Sequence, residues 1–166
     1  MDLERFTGRS YEFHPQGLVE VGYGNAASVG RNALIGSDGL YTCLGVVLLD
    51  EELVSLAHFP IEDRFWVVTD DERETGGVRT FDELMDFLFS QHELVSDTTA
   101  AVLVGGVEGQ SEVLSSRVEE ELIRRGVAQI SHRGPHSEKV EWDLRVRQGI
   151  VSVSARRRHL KLTNTL

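Results

Sequence analysis

The apolar runs TCLGVVLL and LVSLAHF, joined by nothing more than Asp50, Glu51 and Glu52, constrain this chain more than any other feature. The first run is rich in valine and leucine and reads as a buried strand, and a three-residue polar link returns the second run beside it as a hairpin. A hairpin sets the head of one strand against the tail of the other. It therefore brings Cys43, the only cysteine, to the same end as His58, 15 residues later.

Strands dominate the rest of the chain. LVEVGYG (18–24) reads as a short strand ending in glycine, and NAASVGRNALIGSDGLY after it as a small-residue segment full of turn signals. FWVVTDDERETGGVR gives an apolar stretch and then an acidic loop from Asp70 to Glu74, with Gly76 and Gly77. Between Phe81 and His92 the apolar residues Phe81, Leu84, Met85, Leu88 and Phe89 recur at helical spacing, with Thr80 as N-cap. AAVLVGG reads as a buried strand. SSRVEEELIRRG reads as a helix, with serines at its start, acids early, arginines late and Gly126 as its stop. KVEWDLRVRQGIVSVSA closes the pattern as two alternating strands about a turn at Gln148 and Gly149. Many strands, few helices and no repeat, linker or low-complexity segment predict a single α+β domain.

Composition narrows the partners. With 166 residues, 40% of them hydrophobic and 27% charged, one globular domain can bury a core. No run of about 18 apolar residues spans a bilayer, and MDLERFTGRS lacks an apolar signal core, so a cytoplasmic protein without membrane insertion is expected. One cysteine cannot form an internal disulfide, which suits a reducing compartment and leaves the thiol for packing or chemistry. A net charge of -10, from 27 acidic and 17 basic residues, repels phosphate backbones, so nucleic acid is not an expected partner. The basic run ARRRHLK reads as a solvated C-terminal tail.

The order of short motifs resembles the CheD-like chemoreceptor glutamine deamidases, members of a wider cysteine-hydrolase group that includes the cytotoxic necrotizing factor deamidases. That family has a strand ending in a VGxG-like turn, a small-residue segment, a threonine six residues before an LGSC motif, and an AH pair before a proline. Here VGYG spans Val21 to Gly24, Ser37 lies six before Cys43, LYTC spans Leu40 to Cys43, and Ala57 and His58 precede Pro60. Further on, Gly105 with Gly106, Gly126 and Gly149 fall where the family has a GG strand end, a helix stop and a closing turn. Tyr41 and Thr42 replace the glycine and serine of LGSC, Ser37 replaces the threonine, and RGPHSEK replaces a glycine-rich segment. The resemblance covers residues 18–155, between an N-terminal extension (1–17) and a basic tail (156–166). It implies two packed mixed sheets with helices outside, a layered α/β/β/α arrangement. It also implies deamidation of glutamine side chains on a protein substrate such as a chemoreceptor, with Cys43, His58 and Ser37 as catalytic residues.

The chemistry of such a site can be stated independently. A primary amide resists water, so a thiolate attacks the carbonyl carbon, ammonia leaves, and water hydrolyses the thioester. A free cysteine, with a pKa of about 8.5, is mostly thiol at neutral pH, so an imidazole must take its proton and later give one to the leaving nitrogen. Cys43 is the candidate nucleophile, His58 the acid/base, and Ser37 a neutral orienter of the ring; the backbone around Cys43 is the natural source of oxyanion donors. No cofactor is required. An amine in place of water would make the same site a transglutaminase. The competing reading is a non-catalytic binding module that kept the fold. It predicts a buried, unreactive Cys43, whereas the enzyme predicts an exposed thiolate of depressed pKa.

Lesser motifs point elsewhere. Gly22, Gly24 and Ala27 imitate a dinucleotide-binding GxGxxA, but Gly30 and Asn32 fall where its helix should begin. Gly105, Gly106 and Gly109 precede a helix without a Walker lysine, so close backbone packing explains them better than a phosphate. His132 and His136 in SHRGPH read as a loop with no third ligand, and His14, His92 and His159 as surface residues.

Overall fold

A computed structural model describes residues 11–13, 17–61, 78–137 and 140–157. The FWVVTDDERE stretch and its acidic loop lie outside the described residues, as do His14 and His159.

Ten strands pair into two mixed sheets among the described residues. The first sheet has the order β1 (Tyr11–Phe13), β2 (Leu18–Val21), β4 (Leu34–Leu40), β9 (Val140–Arg147), β10 (Ile150–Arg157). The second has the order β3 (Ala26–Gly30), β6 (Leu53–Phe59), β5 (Leu44–Leu49), β7 (Ala100–Gly105), β8 (Gln129–Arg133). The β2–β4 and β7–β8 pairs are parallel and the others antiparallel. Thus β1 falls in the stretch read as an extension, and Arg156 and Arg157, read as the start of the tail, end β10.

Alternation along the strands of the second sheet divides the core in two. Val47, Val54, Leu56, Val102 and Val104 face the first sheet and meet Val19, Val21, Ile35, Leu144 and Val146 there. Val46, Leu48, Ala57, Phe59 and Leu103 face the other way, onto the helices α1 (Phe81–Ser90) and α2 (Glu112–Arg124). The α+β class with mixed sheets is therefore as read from the sequence. Both helices cover the same face of the second sheet, and among the described residues no helix covers the outer face of the first, so the layers observed are α/β/β.

The local signals act as their chemistry requires. Thr80 closes a capping box with Glu83 at the start of α1. At the end of α2 the Val127 N–H donates back to the Leu122 carbonyl, with Gly126 at φ +95. Gln148 and Gly149 both take positive φ (52° and 74°) in the two-residue turn between β9 and β10. The β5–β6 hairpin forms as expected, because the Asp50 carboxylate caps the turn by accepting the N–H groups of Glu52 and Leu53, each at 2.8 Å.

Three expectations are corrected. The small-residue segment after VGYG is two strands, β3 and β4; its alanines, serines and glycines give no apolar alternation to read, yet Ala26, Ala27 and Ser28 are buried in β3. His132 is not in a loop but in β8, a largely exposed strand paired in parallel with β7, where its Nε2 lies 3.4 Å from Glu119. His92 is not a surface residue. Its ring is buried behind α1, with Nδ1 2.6 Å from Asp50 Oδ2 and Nε2 3.0 Å from Ser55 Oγ, so it ties the helix end to the hairpin turn. Burial works to raise the Asp50 carboxyl, but the hydrogen bonds from His92, Leu53 and Glu52 outweigh it and hold the group below the ordinary carboxylate range.

Candidate active site

The hairpin register delivers the two residues that the sequence pairs. Leu44 faces Phe59 and Gly45 faces His58, which leaves Cys43, one residue before the strand, as the diagonal neighbour of His58 on the face turned to the first sheet. Gly45 keeps that space open. A side chain there would run into Leu40 and Leu144, which close over the strand from β4 and β9. The VGYG turn also grips the histidine: the Gly24 N–H donates to the His58 carbonyl and the His58 N–H to that of Asn25, both at 2.9 Å. Tyr23 meets the imidazole edge-on at 5.5 Å between ring centres.

All three residues expected at the site come together. Cys43 Sγ lies 2.9 Å from His58 Nε2, and His58 Nδ1 lies 2.8 Å from Ser37 Oγ, which lies 2.6 Å from the Val21 carbonyl. The carbonyl can only accept, so Ser37 donates to it and its oxygen receives the His58 Nδ1–H. Nε2 is left with a lone pair facing the thiol. This assignment follows from the hydrogen-bond network, and it is the tautomer that a general base beside a thiol needs. The backbone amides of Tyr41 and Cys43 lie near enough to the sulfur to favour its thiolate.

The burial and charge state of Cys43 differ from those the enzyme predicts and are those the binding module predicts. Cys43 is 6% exposed, among Leu40, Val104 and the half-buried Tyr23 and Trp142, rather than open to solvent. Burial pushes its thiol up to about 11, against the pull of the Tyr41 and Cys43 amides, and the Glu141 carboxylate adds to the rise. Burial likewise drives the His58 imidazole down to about 4, against the Val21 carbonyl that favours its charged form. Both shifts have one cause: a dry site favours neutral groups. The resting pair is therefore S–H···N, not a thiolate–imidazolium pair.

This pair makes stability depend on pH. His58 has an ordinary value of 6.5 and a folded one near 4, so as pH falls from 6.5 to 4 the unfolded chain gains a proton that the folded one refuses, and stability falls. Cys43 has an ordinary value of 9.0 and a folded one near 11, so above pH 9.0 the unfolded chain loses a proton that the folded one keeps, and stability falls again. The urea midpoint is expected to be highest between the two ordinary values. At pH 4 the loss due to His58 should be on the order of 3 kcal/mol. It should vanish in His58→Gln; an acid limb equal in both proteins would contradict the buried neutral ring.

Ser37 is fully buried and serves two partners, so Ser37→Ala removes the hydroxyl that both the Val21 carbonyl and the His58 Nδ1–H use. The expected cost is about 1–3 kcal/mol of stability, read from the denaturation midpoint. Freeing the ring should also cost roughly 100-fold in any turnover by the thiol. Loss of stability with undiminished turnover would show that the hydroxyl does not orient the base.

Among the described residues the other histidines share no partner with one another. His132 faces Glu119, whereas His136 stacks on Trp142 at 3.8 Å between ring centres. Gly22 and Gly24 lead into strand β3 and not a helix, as the dinucleotide motif would require. Tyr23 was not singled out from the sequence, since a tyrosine in a VGYG turn signals no role beside a thiol. A scan against protein-family models and a search of the curated proteins give no match to this chain.

Proposed function

We propose that this protein is a cysteine-dependent deamidase of protein-bound glutamine, of the CheD-like kind that its motif order resembles. The observation that carries the reading is the unbroken chain from Ser37 Oγ through His58 Nδ1 and Nε2 to Cys43 Sγ, with links of 2.8 and 2.9 Å. Because the pair rests neutral, attack and proton transfer proceed together: a bond forms between Sγ and the amide carbon while the thiol proton moves to Nε2. The Tyr41 and Cys43 N–H groups beside the sulfur are the donors at hand for the oxyanion. His58 then gives its proton to the nitrogen, the C–N bond breaks and ammonia leaves. Water attacks the thioester with its proton going to Nε2, the C–S bond breaks, and the proton returns to sulfur, leaving glutamate.

A neutral, nearly covered thiol needs a substrate that displaces its cover, which favours a partner protein over a small amide. Chemoreceptors are the substrate class that the resemblance implies. Burial of Cys43 also favours a second reading, a binding module of the same fold without turnover. One experiment separates them. Wild-type protein incubated with unfolded bacterial proteome should produce glutamine-to-glutamate conversions, read as mass shifts of about 1 Da by peptide mass spectrometry, and ammonia in equal amount. Neither product above the background of Cys43→Ser would leave the binding module.

A further inference from the structure

Residues three apart on a regular strand point to opposite faces, yet Ser37 and Leu40 of β4 are both fully buried. A bulge reconciles them. Ser37 faces Leu144 and Leu40 faces Trp142 on β9, so Asp38 and Gly39 together stand opposite Asp143 alone. Gly39 takes φ +71 there, and its N–H donates to Asp143 Oδ1 at 3.0 Å in place of a ladder carbonyl. Arg156 on β10 holds that carboxylate at 3.2 Å and Glu141 at 3.2 Å, while Arg145 holds Asp38 at 2.5 Å. The Gly39 carbonyl oxygen lies 3.9 Å from Cys43 Sγ, and Leu40 anchors the turn that leads to Cys43. The bulge thus stands between the hydroxyl that orients His58 and the thiol that His58 serves.

We propose that Asp143 is a positioning residue of this site: by accepting the Gly39 N–H it fixes the bulge that turns both Ser37 and the Leu40–Cys43 segment inward. The proposal rests on the reading of Cys43 and His58 as a working thiol–imidazole pair. The ion pairs around Asp143 are partly exposed and contribute little by themselves. What Asp143 supplies is the acceptor for a backbone N–H that the bulge takes out of the ladder. Asparagine keeps that acceptor and alanine removes it, which separates positioning from charge.

The test uses two readouts that need no glutamine substrate: the rate of Cys43 alkylation by iodoacetamide at pH 8, and the His58 Nδ1–H signal in nitrogen-15 NMR. In Asp143→Ala the loosened bulge should raise alkylation about fivefold, the ratio set by one hydrogen bond's worth of local stability, and the Nδ1–H signal should broaden through exchange. Asp143→Asn, and Arg156→Gln, which leaves the carboxylate on Gly39, should each stay within about twofold of wild type with the signal intact. Arg125→Ala, which breaks the remote contacts with Glu121 and Asp86, controls for a general loss of stability and should change neither readout. Wild-type behaviour in Asp143→Ala overturns the proposal, as does failure of asparagine to restore it or an Arg156→Gln effect equal to that of alanine. If alanine does not fold, the asparagine and glutamine arms decide. A protein that deamidates nothing can still pass this test, and a deamidase can fail it.

Discussion

Replacing Cys43 with serine is expected to lower glutamine deamidation by about 10^4-fold, while stability stays within about 1 kcal/mol of wild type. The serine hydroxyl can still donate to His58 Nε2, which in the native protein lies 2.9 Å from Sγ, so no buried acceptor is stranded. The chemistry suffers instead. An alcohol is a far weaker acid than a thiol, and the dry surroundings that raise the thiol to about 11 would oppose an alkoxide still more. The ammonia assay and the denaturation midpoint, run on the same preparation, check both halves. Substantial residual activity would mean that another group attacks the amide.

Gly105→Ala is expected to cost about 3 kcal/mol. Gly105 ends β7 opposite Leu44 with φ +98, where an L residue is strained by roughly 1–2 kcal/mol. A methyl group there would sit 2.9 Å from the Cys43 carbonyl oxygen and 3.0 Å from Leu40 Cβ. The first of these is backbone and cannot rotate away, so overpacking adds about 1–3 kcal/mol. Relief would come by moving Cys43 off His58, so turnover should fall along with the urea midpoint at an unchanged m-value. An alanine variant of native stability would show that the segment from Leu40 to Cys43 is not packed as described.

What the sequence made legible, and what it hid, follows from the length scale of each cue. The β5–β6 hairpin was readable because two apolar runs flank a short polar link, and its register then delivers Cys43 and His58 to one end without further information. Ser37 came only from motif order, since a serine in GSDG reads as a turn residue until β9 pairs with it from 107 residues further along the chain. The bulge at Asp38 and Gly39 was hidden for the same reason: it exists only against Asp143. Strand β8 was missed because its exposed, polar edge carries no alternation, and His92 because its partners, Asp50 and Ser55, sit about 40 residues away in the fold's other limb. The neutral state of the thiol is the most collective property of all. It depends on Leu40, Val104, Tyr23 and Trp142 closing over Cys43 from four separate segments, which no local pattern records.

The most direct measurement is the covalent state of Cys43 during turnover. Wild-type protein mixed with glutamine-bearing peptides and quenched in acid within seconds should carry, on the Cys43 peptide, one substrate mass less ammonia. Hydroxylamine added before the quench should discharge that adduct as a glutamyl hydroxamate. An adduct on Cys43 that is lost in Cys43→Ser would establish the thioester; deamidation proceeding with no adduct and no hydroxamate would contradict a thiol mechanism.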